Sequence, residues 1–539
     1  MRDTKRCTRR RVSALALALL LALVLPAAAD DLASDLGGGL SAADSTAAEP
    51  EGADMVNADV IIGYIEPGFA EISPAACTEW DMISVNQLVY EPVVDVDDNM
   101  KPIPMLADSW EQDGRLWKFN LRSGVQFHNG LELTAYDVVA SYNALSAAGS
   151  GNPYYARLRM IKEMQATDVY TVVLRAKNSS MLTLYAMNFP VMQIETVNDQ
   201  IPRGTGPYWY IQYDPDGTIR LEANPLWWKR QPEVQSILLK RYDTAAAAIE
   251  AMETRQINMM STKSPKASFS RKLANLTSMD YPTLTYEMLV PNLSSGSIMS
   301  DVNVRKAVMY AIDRSLIATN AYLDMTIQSE VPVVPTCWLY ESQSAVYYYS
   351  PERALQMMNN AGWYDMTGDG VLKRRNGIML QEPKIRLITY NESTSSIREK
   401  AAHLIEGYLE AIGIDVAVTV ESRDKVLDHI KHREYDIALI AVNLSEIPEI
   451  SSILGTDGAL NYNNYSSDEM DRLISAAHSA SNENTLLKAY SDIQLMVADR
   501  LPIMGLLFRT GTVLASRSIG GLSGLRAYDN FNGFEFLAK

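Results

Sequence analysis

The chain has 539 residues, 47% hydrophobic and 21% charged, which is material for more than one core, since single cores rarely grow past about 300 residues. Its formal net charge of −17 excludes the basic footprint that nucleic-acid binding needs. An acidic balance of this kind gives a well-solvated surface.

The N-terminus departs from that composition. MRDTKRCTRRR is basic, VSALALALLLALVLP is apolar, and Ala27-Ala28-Ala29 closes with an A-x-A pattern, so residues 1–29 read as a secretory signal peptide. An uncleaved N-terminal anchor is the alternative, although the apolar run is short of the roughly 20 residues that span a bilayer. Cys7 lies in the basic region and no cysteine sits at the cleavage site, which argues against a lipid anchor. Residues 1–29 hold six basic residues and one acid, so the exported remainder has 42 Lys and Arg against 64 Asp and Glu, a net of −22. Residues 30–56 are rich in Ala, Gly, Ser and acid and read as a flexible linker.

Order is expected from DVIIGYI at 59–65, an apolar, β-branched run suited to a buried strand. In Leu116–Leu121, Trp117, Phe119 and Leu121 share one face and Lys118 and Asn120 the other, the period of a half-buried strand. Asn129-Gly130 marks a turn. Thr134 then caps a helix, with Asp137 in its first turn and Val138, Tyr142 and Leu145 on its apolar stripe. Further along, 237–242 reads as a strand and 245–255 as a helix. DVNVRKAVMYAIDRSLI reads as a helix capped by Asp301, and 352–361 as a helix ended by Gly362. Helix 397–412 feeds the strand IDVAVTV, and helix 425–431 feeds YDIALIAV, an alternation typical of an α/β lobe.

The stretch 106–145, LADSWEQDGRLWKFNLRSGVQFHNGLELTAYDVVASYNAL, resembles the signature region of bacterial extracellular solute-binding proteins of family 5, the peptide- and nickel-binding receptors of ABC importers. GTGPYWY, NPLWWKRQPEVQSILLKRY, DVNVRKAVMYAIDRSLI, YSPERALQMMNNAGWYDMTGDGVL and EYDIALI follow in the family's order. The resemblance implies a mixed α/β, two-lobed fold of the large periplasmic-binding-protein type, its lobes joined by two hinge strands. Residues 57–290 with 505–539 would form lobe I, including an inserted subdomain at about 88–200, and residues 291–504 lobe II. It implies binding of a peptide or other small solute without a chemical step, transient docking on a membrane permease, and a monomer. A nickel chelate, haem or an oligosaccharide is the alternative ligand, a ligand-presenting sensor the alternative role, and a secreted peptide hydrolase the remaining rival, against which the missing catalytic motifs argue. Cys77 and Cys337 would fall in different lobes, where a disulfide would lock the cleft.

No catalytic residue, cofactor or metal site is expected: the chain lacks a G-x-S-x-G elbow, an H-E-x-x-H pair and a P-loop. His429 and His432 read as a solvated face, and DMTGDG, which has Asn376 where a calcium loop needs its bidentate Glu, reads as a turn. His128 reads as the end of a strand. Many members of the resembling family hold the ligand's amino terminus with an aspartate after the strand that here is YDIALIAV. Here the segment reads IAVNLSEIPEI, which puts Ser445 or Glu446 at that place, near Asn443. The resemblance further points to Arg398 for a ligand carboxylate and to Tyr154 and Trp338 as cleft-facing aromatics. For Arg398 a surface arginine, and for the two aromatics core packing, are the competing roles.

Overall fold

The structure is a computed structural model that describes residues 58–538 apart from 66–70, 79, 393–394 and 527–528. The signal-peptide segment and the linker to residue 56 therefore lie outside the described residues. No described helix is long and apolar enough to cross a membrane.

An eleven-stranded sheet runs through the molecule. One half is built from Val60–Ile65, Met259–Thr262, Ser236–Tyr242, Ile219–Ala223 and Tyr208–Tyr213. The other half contains Lys384–Tyr390, Asp415–Glu421 and Ile437–Asn443. Two long antiparallel strands, Leu276–Pro291 and Met504–Ser516, cross from one half to the other. Near Ser516 the second crossing strand pairs with Met259–Thr262, whereas near Pro291 the first pairs with Ile437–Asn443, so the pair together joins the two halves. Their register runs from Leu276 opposite Ser516 to Pro282 opposite Thr510, then shifts before Tyr286 meets Phe508. Pro282 has no N–H to donate, and a ladder that loses a donor shifts or bulges there.

The apolar residues divide accordingly. One core draws on residues 60–281 together with 513–537, and a second on residues 289–507. A further cluster mixes the two halves, packing Val96, Met100, Leu182 and Tyr185 against Cys337, Ile447 and Phe508. The first core also supports a separate sheet in the order Ala107–Asp113, Leu116–Leu121, Thr171–Ala176, Ile161–Asp168. Trp117, Phe119 and Leu121 are buried in it, as the period of two requires.

Local chemistry follows the sequence closely in this region. Gly130 takes a φ of +84°, which suits glycine in the Asn-Gly turn. At the start of helix Ala135–Ala147, the Thr134 amide and hydroxyl both donate to Asp137 Oδ2, at 2.8 and 2.6 Å. Asp137 Oδ1 accepts from the Ile194 amide at 2.8 Å, tying the helix to the segment that follows the small sheet. His128 is buried, its Nδ1 accepts from the Gly204 amide, and burial pushes its imidazole down to about 4. A neutral core imidazole results.

Two expectations are refined. The single helix read through DVNVRKAVMYAIDRSLI is two, Val302–Ala311 and Arg314–Asn320, because Asp313 leaves the helix and its side chain caps the second at Leu316 N, 3.0 Å. In DMTGDG, Asp365 accepts from the amides of Thr367, Gly368 and Gly370, while the Lys373 ammonium sits on Thr367 and Asp369. Cys77 and Cys337 form no disulfide and are buried in different cores.

Asp137→Ala removes the cap and leaves the Ile194 amide without its acceptor. It should lower stability by about 1–3 kcal/mol, read as a shift of the urea midpoint at unchanged m-value.

Candidate ligand-binding site

The two halves touch along one face beyond the crossing strands. Met181 N donates to Ala480 O at 2.9 Å, Trp338 N donates to Asn99 O at 2.9 Å, and Lys101 pairs with Glu483 at 2.9 Å. The Trp338 indole donates to the Tyr185 hydroxyl at 3.0 Å and lies under the Lys101 ammonium, 5.5 Å from its ring centre.

At the centre of this face, Arg157 of the first half forms an ion pair with Glu446 of the second. Both side chains are nearly buried, at 8% and 12% exposure. Arg157 is placed by its own segment, NPYYARL. Asn152 donates to the carbonyls of Pro74 and Ala75 at 2.9 and 3.2 Å and accepts from Tyr154 N at 3.0 Å, which fixes the turn into the short helix Tyr155–Leu158. Arg157 Nη1 then donates to Asn188 O at 2.6 Å and Asn188 Oδ1 at 3.0 Å, and its guanidinium lies 5.3 Å from the Tyr154 ring centre. Asn188 donates in turn to Asp95, 3.2 Å away, which pairs with Arg526 at 3.0 Å. Arg157 is thus held rigidly from behind, through groups that belong to its own half.

Glu446 comes from the loop after strand Ile437–Asn443. That loop is fixed where Leu444 N donates to Leu284 O at 2.9 Å on a crossing strand and where Ser445 Oγ accepts from Ile447 N at 3.2 Å. Asn443 Oδ1 accepts from the Thr285 hydroxyl at 2.9 Å. Val96, Arg157, Tyr185, Asn188, Glu446 and Ile447 enclose a small hollow of about 10 Å³. Behind Asn188 and Tyr154 lies a cavity of about 100 Å³, lined also by Glu91, Asp95, Lys229 and Asp529. Burial pushes Asp529 up to about 7 against the pull of Arg526. Burial also raises Glu91, despite Lys229 and its bonds from Trp228, Trp227 and Thr205. Among the described residues, no group of three or more His, Cys, Asp or Glu is placed to hold a metal ion.

The site residues expected from sequence are distributed as follows. Tyr154 and Glu446 meet around Arg157, and Trp338 reaches the same hollow through Tyr185. Ser445 lines an apolar pocket with Met100, Leu284, Cys337 and Leu444. Arg398 lies elsewhere, with 1% of its side chain exposed. Its Nε and Nη2 donate to Glu287 at 2.9 and 3.0 Å, Nη2 donates to Glu392 at 3.0 Å, and Nη1 donates to Tyr390 O at 3.1 Å. Arg509 completes this network, donating to Glu287 at 2.7 Å and Glu392 at 3.1 Å. Arg157, Asn188 and Tyr185 escaped the sequence reading, since a lone arginine in a four-residue helix carries no periodic signal.

Two lobes joined by two strands and closing on a charged pair define a solute receptor of the hinged kind. The profile of the bacterial extracellular solute-binding proteins, family 5 (middle region), matches residues 101–460, two-thirds of the sequence, and the chain belongs to that family. It is 24% identical to the oligopeptide-binding protein AppA of Bacillus subtilis, over 86% of this chain and 88% of the relative. It is 23% identical to the dipeptide-binding protein of Escherichia coli, over 75% and 80% respectively. In fold it is similar to the crystal structure of a nickel ABC transporter from Bacillus halodurans, with a TM-score of 0.76 at 20% identity, covering 87% of this chain and 98% of the other.

The network around Glu287 makes a pH prediction. Burial opposes its charge, but Arg509 and Arg398 outweigh burial and hold the carboxyl below the ordinary range. A carboxylate depressed in the fold stabilises it above its unfolded value, about 4.3, and that contribution is lost as pH falls through the folded value. Glu287→Ala leaves two buried guanidinium groups short of an anion and should cost about 3–5 kcal/mol at pH 7. Chemical denaturation from pH 7 down to pH 3 should show the gap between wild type and Glu287→Ala narrowing at the acid end.

Proposed function

We propose that this chain is the extracytoplasmic substrate-binding protein of an ABC import system, capturing a peptide or peptide-like solute between its lobes and delivering it to the membrane permease. The observation that carries the reading is the pairing of Arg157 and Glu446 across two lobes that are covalently continuous only through two chain passages, the crossing strands Leu276–Pro291 and Met504–Ser516. A peptide offers what such a surface recognises, charged ends with apolar side chains between them. The names of the relatives, oligopeptide- and dipeptide-binding, favour the same ligand class.

On this reading lobe I is residues 57–290 with 505–539 and lobe II residues 291–504, and the signal segment 1–29 directs export to the periplasm or the outer face of the cytoplasmic membrane. Glu446 receives the ligand's ammonium group, Tyr154 and Trp338 wall the cleft, and Ser445 and Asn443 offer hydrogen bonds. Arg398, committed to Glu287, contributes by fixing the second lobe to the hinge rather than by touching ligand. Ligand binds the closed form better than the open one and shifts the equilibrium between them, and the closed monomer docks on the permease. The protein carries out no chemical step.

Native mass spectrometry of freshly purified protein identifies a retained solute, and X-ray scattering follows its return to stripped protein. A retained peptide that reduces the radius of gyration on rebinding is the expected result. A nickel chelate or haem that compacts the protein, with no response to peptide pools, would overturn the peptide assignment.

A further inference from the structure

An exposed surface lies apart from the lobe interface, on the second half of the molecule. After the turn at 365–370, the sequence KRRNGIMLQ forms a hairpin, Arg374–Asn376 against Met379–Gln381, that pairs with no other strand. Gly377, at φ +63°, takes the first place of the two-residue loop and leaves Ile378 at the tip. Ile378 is 105% exposed, Met379 72% and Leu380 49%, so three successive apolar side chains project into solvent. Tyr364, bridged to Lys373 at the base, and Met366 in the preceding turn are exposed as well. Single exposed apolar residues are ordinary, whereas a contiguous group marks a contact surface. Its charge is equally local. Arg375 lies opposite Leu380, and the Arg374 guanidinium rests 4.3 Å from the Trp363 ring centre. Residues 374–381 contain no acid, and at the base Asp369 is paired with Lys373 while Glu382 is followed by Lys384.

We infer that this hairpin is a membrane-contact element: Ile378, Met379 and Leu380 enter the headgroup boundary of a bilayer while Arg374 and Arg375 meet the phosphates of anionic lipids. Charge complementarity selects this occupant. The formal charge of the whole chain is −17, so an anionic surface repels most of the molecule. Screening limits that repulsion to about 8 Å at physiological salt, and a projecting cationic tip reaches the surface first. Shape points the same way. A stable protein interface takes roughly 800 Å² from each partner, and a narrow tip of three side chains offers far less. Interfacial binding needs only a small apolar group flanked by cations, with a tyrosine suited to the boundary between them. Such contact is reversible and holds the receptor near the membrane in which its permease sits. The inference rests on the export proposed above and is independent of which solute is captured.

Full-length mature protein, free of the apolar signal segment, is sedimented with vesicles of phosphatidylethanolamine and phosphatidylglycerol in equal parts, and with vesicles of phosphatidylcholine alone. The wild type should favour the anionic vesicles, and added salt should weaken the binding. Ile378→Ser with Met379→Ser should lower the bound fraction about fivefold or more, and Arg374→Gln with Arg375→Gln should remove the preference for phosphatidylglycerol. Ile378 touches nothing, so the serine variant should keep the wild-type urea midpoint, which separates lost contact from lost folding. In Ile378→Trp, anionic vesicles should shift the indole emission to the blue and brominated lipid should quench it. Equal sedimentation of the wild type and the serine variant, equal binding to both kinds of vesicle, or a tryptophan at 378 blind to lipid overturns the inference. So does a wild type that ignores vesicles but self-associates through the hairpin, read as a change of mass in light scattering that the serine variant abolishes. None of these outcomes bears on solute capture, which scattering on the stripped protein reads separately.

Discussion

A carboxylate with no solvent exposure, Glu287, lies in one crossing strand and meets Arg509 from the other crossing strand and Arg398 from the first turns of a helix in the second lobe. Glu392 closes the network against both arginines. The four charges sum to zero, so a charged group is tolerated in the interior only while all its partners stay in place. That requirement fixes the two crossing strands to each other and to the second lobe at one point. On the other side of Pro282 the two strands still pair with each other, and Met504–Ser516 also pairs with Met259–Thr262 of the first lobe. Beside that attachment the ladder between the two strands is interrupted, its register shifting between Pro282 and Tyr286 and again between Glu287 and Met288.

The lobes also touch each other beyond the crossing strands. The polar contacts there are an ion pair at the centre, a tryptophan reaching a tyrosine, one surface salt bridge and two backbone hydrogen bonds, beside an apolar cluster in which Val96, Met100 and Leu182 meet Cys337 and Ile447. The two apolar cores on either side each bury their own residues. Desolvated ions demand replacement by like charge, whereas the surrounding apolar contacts are tolerant of shape.

Much of the fold was legible in the sequence because its signals are local. The alternation of Trp117, Phe119 and Leu121, the Thr134–Asp137 cap, and the β-branched run after Asp59 each declare their element within a few residues. The crossing strands were not legible from periodicity: Leu276–Pro291 is buried on both faces over its second half and carries Glu287 in the middle of an apolar run. The site was legible only in part, for the same reason. Tyr154 and Glu446 stand in recognisable segments, but what brings them together is Arg157, whose partner lies in the other lobe. Arg398 read locally as a helix-start arginine available to a ligand, while its partner Glu287 is far away in the chain and visible only once the strands are paired.

The central claim is that the Arg157–Glu446 ion pair ties the two lobes to each other. Nitroxide labels at Glu111 and Glu469, exposed positions on the two lobes, allow the separation to be read by pulsed electron paramagnetic resonance in the stripped protein. The account predicts a short-distance population in the wild type that moves to longer distances in Glu446→Gln, and identical distance distributions in the two proteins would contradict it.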